Sequence, residues 1–472
     1  MSTDNDAATV TTWLPDPSHY PEQMTPLSAT VWFEAMGRGV HAAARELQAP
    51  FGGFETRLEL GWAYEGELAP EWEPDRTVLE RAALELPERW EREFRPRVLE
   101  INGALEAMRP ERPADATPLL DALWELVQEE WTIHFLVVIP ALAVAEQVDP
   151  GLLAGMDNPA DDAVWDLADA AVRDGVDDLL RELTPAAALA RLRATAPGRR
   201  FLRELDAFLA RFGGRARWHE LSLPREVEQP FLTLESVRLA LEAGERPRRQ
   251  PAPDTGDELV LRARAAYALK ELHTYDIDYP GLLATREALL GFGRRLYAEG
   301  LLDAPDDVWF LERRELAGTL DLRDLVARRR EERERGRLEG VRPYLGDPPE
   351  ERERDSVVEG FYGSAGSALQ GAGASPGVAE GTARVVAGAD DFSRVQVGDV
   401  LVATTTTPAW TPLFPSLAAL VTETGGVLSH AAVVAREYRL PAVVGAAGAT
   451  RAIRDGARVR VDGSTGTITI VS

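Results

Sequence analysis

The chain contains no cysteine, and only one of its 52 basic residues, Lys270, is a lysine. The first absence excludes disulfides, thiolate metal sites and a cysteine nucleophile. The second removes the usual lysine clamps for nucleotide phosphates, and no Gly-x-x-x-x-Gly-Lys loop stands in for them. Positive charge is itself scarce: 78 acidic residues leave a net charge of −26. That balance repels a phosphate backbone, and no basic stripe with interleaved aromatics offsets it, so no nucleic-acid partner is expected. Long apolar runs are missing too. The most apolar one, Phe135 to Val144, falls short of the roughly 20 residues a membrane span needs and contains Pro140, so it reads as a buried helix and no membrane partner is expected. The start, Met1 to Val10, is polar and acidic and lacks the regions of a signal peptide, which makes the cytoplasm the expected location.

A length of 472 residues leaves room for two or three folded units. Residues 1–12 read as a loose, disordered tail, and four prolines between Trp13 and Ser28 imply an extended entry. From about Ala29 to Ala327 apolar residues recur at helical spacing, as in Leu119, Leu123, Leu126, Val127 and Trp131, so 13–345 reads as a mostly helical domain. Charged and Gly-rich composition over 346–374 marks a flexible linker. Beyond it, over 375–472, short β-like runs (Thr382 to Val386, Val400 to Ala403, Leu420 to Thr422, Ala442 to Val444, Arg458 to Val461, Thr467 to Val471) surround one helix, Ser429 to Tyr438. The expected fold class is multidomain, α plus α/β: a large mostly helical N-terminal domain followed by a compact β/β/α module.

The chemistry concentrates in Thr422-Glu-Thr-Gly-Gly-Val-Leu-Ser-His430, which runs from a strand through a Gly-Gly turn into a helix. Gly425 and Gly426 let backbone amides converge, and the first helical turn favours an anion. The imidazole of His430 is a competent nucleophile near neutral pH, and a phosphoryl group on its ring nitrogen is easily passed on. Ser429 is a candidate to hold such a phosphate, and Thr422 and Thr424 either hydrogen-bond it or cap the turn. Arg436 either balances its charge or is an exposed helix arginine.

The stretch from Thr422 to Gly445, with Ser375-Pro-Gly-Val-Ala-Glu-Gly-Thr and Thr404-Thr-Thr-Thr-Pro-Ala-Trp-Thr-Pro-Leu-Phe414 upstream, closely resembles the phosphohistidine domain of the PEP-utilizing enzyme family. The resemblance implies a swivelling domain whose His430 is phosphorylated at one place and delivers phosphate at another. Leu428 stands where the dikinase members have a regulatory threonine, so that regulation is not implied. Phe212-Gly-Gly-Arg215, Glu220 to Arg225, Arg286 to Leu296 and Asp306 to Glu315 are similar to that family's helical domain, with Gly214 replacing a histidine. The layout is similar to that of rifampicin phosphotransferase without its ATP-grasp domain.

The resemblance further implies a division of labour. The family's ATP-grasp module needs several hundred residues and phosphate-contacting lysines, and its phosphoenolpyruvate barrel uses a cysteine; this sequence offers neither. The expectation is a phosphotransferase component: a separate ATP-grasp partner supplies Mg and ATP, the chain alone binds no cofactor, and His430 carries phosphate to the hydroxyl of a small-molecule acceptor in the helical domain. The rival is a non-catalytic binding or regulatory protein that keeps the swivelling fold. Candidate acceptor-site residues are His134, Arg215, His219, Glu220 and Arg225, with packed or surface roles as their alternative. His273, Asp276 and Asp278 lack a specific metal spacing and read as a solvated loop, so no metal site is expected.

Overall fold

Proline at the first helical turn, acidic or hydroxyl caps, and apolar residues three and four apart generate most of the chain's elements. Asp75, for example, accepts from the Thr77 amide at 2.9 Å to start the helix Arg76–Arg89. The computed structural model describes residues 10–16, 19–109, 113–153, 159–216, 218–246, 254–318, 320–348, 369–406 and 408–471. Most of the expected N-terminal tail (1–9) and of the expected linker (349–368) lies outside the described residues. The chain divides into two units that interleave along the sequence. One comprises Met1–Val144, Trp218–Leu223 and His273–Asp355; the other comprises Ala145–Arg217, Pro224–Leu272 and Ser356–Ser472.

The first unit is mostly helical, with Glu34–Glu46, Arg76–Arg89, Arg95–Glu106, Pro113–Ala145, Tyr279–Ala298 and Arg323–Glu339 as its main helices. Gly39 lets Glu34–Glu46 lie directly against Pro113–Ala145, since a Cβ there would collide with the backbone and side chain of Trp131. The helix Pro113–Ala145 extends the apolar run well beyond its sequence reading. Its stretch Ala116–Ala145 is long and apolar enough to cross a membrane by length and composition, yet 83% of the most apolar window is buried inside the protein. A small sheet, not expected from the sequence, joins β1 (Thr12–Pro15), β2 (Phe54–Glu59), β3 (Trp62–Glu67) and β4 (Leu345–Gly346) in the order β2-β3-β1-β4. Its hairpin turns at Leu60 and Gly61, both at positive φ, as a two-residue primed turn requires.

The second unit sets the helices Pro159–Asp174, Pro185–Ala194, Ala196–Phe212, Phe231–Ala243 and most of Glu258–His273 with a seven-stranded sheet. The strands are β5 (Ala372–Ser375), β6 (Val378–Val386), β7 (Val400–Ala403), β8 (Ala419–Thr422), β9 (Ala442–Val444), β10 (Arg458–Asp462) and β11 (Thr467–Val471), in the order β11-β10-β6-β7-β8-β9-β5. The four from β6 to β9 pair in parallel, and β5, β10 and β11 are antiparallel additions. Both faces are covered, which explains why β7 and β8 read as unbroken apolar runs. Leu401 and Leu420 pack with Phe392, Trp410 and Phe414 on one face, and Val402 and Val421 pack with Val459 and Ile453 on the other. The strand β5 takes the last three residues of the expected linker 346–374 into the sheet. Its Gly and Ala content reflects close backbone approach rather than a loose connector: a Cβ on Gly373 would meet the carbonyl oxygen of Gly463 at 2.6 Å.

Candidate phosphohistidine site

The strand β8 ends at Thr422, and the chain turns through Gly425 into the helix His430–Glu437. Gly425 has φ +96°, and a Cβ there would meet Ser429 at 2.9 Å, so both conformation and space require glycine. The amide and hydroxyl of Thr424 both donate to the Thr404 carbonyl at 3.0 Å, and the Thr422 hydroxyl donates to the Thr424 carbonyl at 2.8 Å. Both hydroxyl donors therefore hold the turn. Ser429 is the N-cap, accepting from the Ala432 amide at 3.4 Å. Ser429→Ala is expected to cost about 1 kcal/mol of stability in the second unit, measurable as a lowered urea midpoint with unchanged slope.

His430 sits at the first helical position with its side chain 15% exposed. Its Nε2 lies 3.0 Å from Oγ1 of Thr411, in the Thr-Pro-Ala-Trp-Thr segment, and its Nδ1 lies 3.3 Å from Oε2 of Glu271. An Nδ1–H donated to that carboxylate leaves Nε2 as the free nucleophilic nitrogen, with the Thr411 hydroxyl donating to it.

Glu271 belongs to the helix Glu258–His273, which presents Tyr267, Lys270 and Glu271 on one face by their three- and four-residue spacing. Tyr267 is fully buried and donates its hydroxyl to the Leu428 carbonyl at 2.5 Å, pinning the turn before His430. Lys270 Nζ lies 2.7 Å from Glu271 Oε1 and 3.5 Å from the Tyr267 hydroxyl. Burial alone would raise the Glu271 carboxyl, but the Lys270 charge and the hydrogen bond to His430 hold it well below the usual carboxylate range. Burial alone would likewise lower the Lys270 ammonium, but Glu271 and Tyr267 hold it above its ordinary value. The pair is thus ionised across the whole neutral range.

Arg436 is neither exposed nor free to roam. Its Nη1 donates to the Ala374 carbonyl at 2.9 Å, while its buried Nη2 has no partner among the described residues. Both N–H groups of that nitrogen are therefore unpaired among the described residues, in the field of Glu271.

The candidate acceptor residues are not gathered in one unit. In the second unit Arg215 is buried, donating to the Thr233 hydroxyl at 2.9 Å beside the buried Glu226, and Arg225 is fully buried. In the first unit Glu220 accepts from Thr25, Ser28 and the Ser222 amide, which ties the chain entry to the Trp218–Leu223 segment. His219 stacks on His19 with ring centroids 6.3 Å apart. His134 is buried with Nδ1 2.7 Å from Asp278 Oδ1. The segment His273 to Asp278 is not the solvated loop expected from its polarity. It is a π-helical turn joining two helices, in which His273, Thr274 and Asp278 are buried while Asp276 is exposed.

Glu271, Lys270, Tyr267 and Thr411 carry the geometry around His430, yet sequence reasoning assigned none of them a role. One signal was available: Lys270 is the one position at which this arginine-rich chain keeps a lysine.

Residues 395–466 match the family described as PEP-utilising enzyme, mobile domain, and residues 155–274 match the rifampicin phosphotransferase fourth domain. The module that carries His430 is thereby a mobile domain of the PEP-utilizing enzyme family, and the helix that carries Lys270 and Glu271 falls in the second match. Among individual proteins, the chain is similar to chondramide synthase cmdD of Chondromyces crocatus, 31% identical over 97% of this chain and 14% of that protein. It is also similar to the uncharacterized phosphotransferase YvkC of Bacillus subtilis, 32% identical over 60% of this chain and 38% of that protein. A rifampicin phosphotransferase of Streptomyces sviceus is 36% identical over 53% of this chain and 28% of its own length. The chain thus spans well under half of each of these relatives.

Proposed function

We propose that the protein is a phosphotransferase component in which Nε2 of His430 carries a phosphoryl group. A separate ATP-grasp partner in the cytoplasm holds Mg and ATP and charges the histidine: the Nε2–P bond forms as a P–O bond of the nucleotide breaks. The N–P bond then breaks as a hydroxyl of a small molecule, bound by the helical region, takes the phosphoryl group and releases its proton. Residues 13–345 serve as that helical domain, and the part of 346–374 that precedes β5 lets the 375–472 module swing.

The observation that carries this reading is the two-sided grip on the His430 ring, with Glu271 on Nδ1 and Thr411 on Nε2. A histidine that only packed would not need its tautomer set by a buried carboxylate. Lys270 and Arg436 supply the positive charge that a transferring phosphoryl group needs. The phosphotransferases among the relatives support the same reading.

The test is acid-labile, base-stable phosphate on His430 after mixing with Mg-ATP, with and without a co-encoded ATP-grasp protein. Label only with that partner, and none in His430→Ala, is the expected result. Label without the partner would mean the chain holds its own nucleotide site. No label in either case would make it a binding protein with an idle histidine.

A further inference from the structure

The first unit holds a second polar cluster, independent of His430. His134 Nδ1 and His273 Nε2 face the two oxygens of one carboxylate, at 2.7 Å from Asp278 Oδ1 and 3.4 Å from Asp278 Oδ2. The two imidazoles stand edge to face with centroids 4.5 Å apart, and one ligand-type atom from each of the three residues falls within 4.8 Å of the others. All three side chains are at most 11% exposed. The π turn Thr274–Asp278 brings His273 and Asp278 to the same point from the ends of two successive helices, a placement that regular helical spacing would not give.

Glu130 turns this cluster from a hydrogen-bonded triad into something unfinished. It lies one helical turn before His134, on the same face of Pro113–Ala145, and is 2% exposed. Among the described residues, neither of its carboxylate oxygens has a hydrogen-bond partner. Its carboxylate occupies the space above Gly281, three residues after Asp278, where any Cβ would collide with it. A buried, unpartnered carboxyl group costs several kcal/mol by general estimates, and the fold has cleared room for this one by placing glycine opposite.

We propose that His134, His273 and Asp278, completed by Glu130, bind a divalent transition-metal ion. Two imidazoles with carboxylates and no thiolate form a borderline nitrogen and oxygen set suited to Zn²⁺, Mn²⁺ or Fe²⁺ rather than to Ca²⁺ or Mg²⁺. Metal bonds of about 2.0–2.2 Å place tetrahedral ligand atoms about 3.3–3.6 Å apart, so the widest separation in this cluster needs a closure of about 1 Å, within the reach of side-chain rotation. The ion would supply the charge that Glu130 lacks. No metal motif is legible in the sequence here because the ligands come from segments 139 residues apart, counted from His134 to His273. The proposal stands apart from the role of His430 and does not depend on it.

The test uses the full chain, stripped with a chelator and titrated by equilibrium dialysis with Co²⁺ and Zn²⁺, with visible absorption recorded for Co²⁺. Wild type is expected to take up one ion per chain and to show the weak d–d bands of nitrogen and oxygen coordination, without thiolate charge transfer. Asp278→Asn and His273→Gln should each weaken binding by at least about 10²-fold, the upper end of what even outer-shell changes cost, and Glu130→Gln by about 10-fold. Three separate variants, each checked by circular dichroism, keep the test open if one fails to fold. Less than stoichiometric uptake by wild type, or equal uptake by all folded variants, would overturn the proposal.

Discussion

Glu271→Gln is expected to slow phosphorylation of His430 by about 10²-fold, measured with phosphoramidate as a small chemical donor so that no partner protein enters the rate. The carboxylate accepts Nδ1–H at 3.3 Å and so selects the tautomer whose Nε2 lone pair is free. Removing the analogous carboxylate from a serine-protease triad costs about 10⁴-fold through the wrong tautomer. The cost should be smaller here, because glutamine keeps one acceptor oxygen and the hydrogen bond is long. Nitrogen NMR separates this role from a structural one. Wild type should show Nε2 unprotonated, whereas Glu271→Gln should show a mixture of tautomers in a folded protein. A single wild-type-like tautomer in the variant, at full rate, would remove Glu271 from the mechanism.

The strands of the 375–472 module were legible because each is short, apolar and bounded by turn residues. Thr382 to Val386, Val400 to Ala403 and Ala442 to Val444 fall inside or on β6, β7 and β9. The hairpin β2–β3 was not, since Phe54 to Glu67 alternates weakly and sits among helical stretches whose period dominates any window. The strand β5 was hidden by its composition: glycine and alanine signal a connector, and only the pairing with β9 shows that they permit close approach. His430 was legible because its local motif is contiguous. Its partners were not, because Glu271 lies 159 residues earlier on a helix where a Lys-Glu pair normally means a solvated face. Only the fold brings that face to the Gly425 turn, and the interleaving of the two units along the chain is invisible to a linear reading.

Lys270→Met should combine the two effects that such a site can show. On the rate, removal of a preorganised cation beside a transferring phosphoryl group is expected to cost about 10²–10³-fold. On stability, Glu271 is left as a buried carboxylate without its counter-charge, and breaking one side of a buried pair costs about 3–5 kcal/mol. The second effect is separable from the first. In Lys270→Met/Glu271→Leu both charges are gone, so urea stability should recover most of that loss while the phosphoramidate rate stays low. Lys270→Arg keeps the charge but cannot reproduce a point ammonium, and should restore stability more fully than rate. The pH dependence has a defined sign on each side. The Glu271 carboxyl is lowered by folding, so its contribution is present above its ordinary value of 4.5 and is lost as pH falls from there through the folded value. The Lys270 ammonium is raised by folding, so its contribution is present below its ordinary value of 10.5 and is lost as pH rises through the folded value. Wild type should therefore show an extra plateau of stability between those limits that the double variant lacks. If the two unfold with the same pH profile, the pair does not carry the site, and the lone lysine of this chain is an accident of composition.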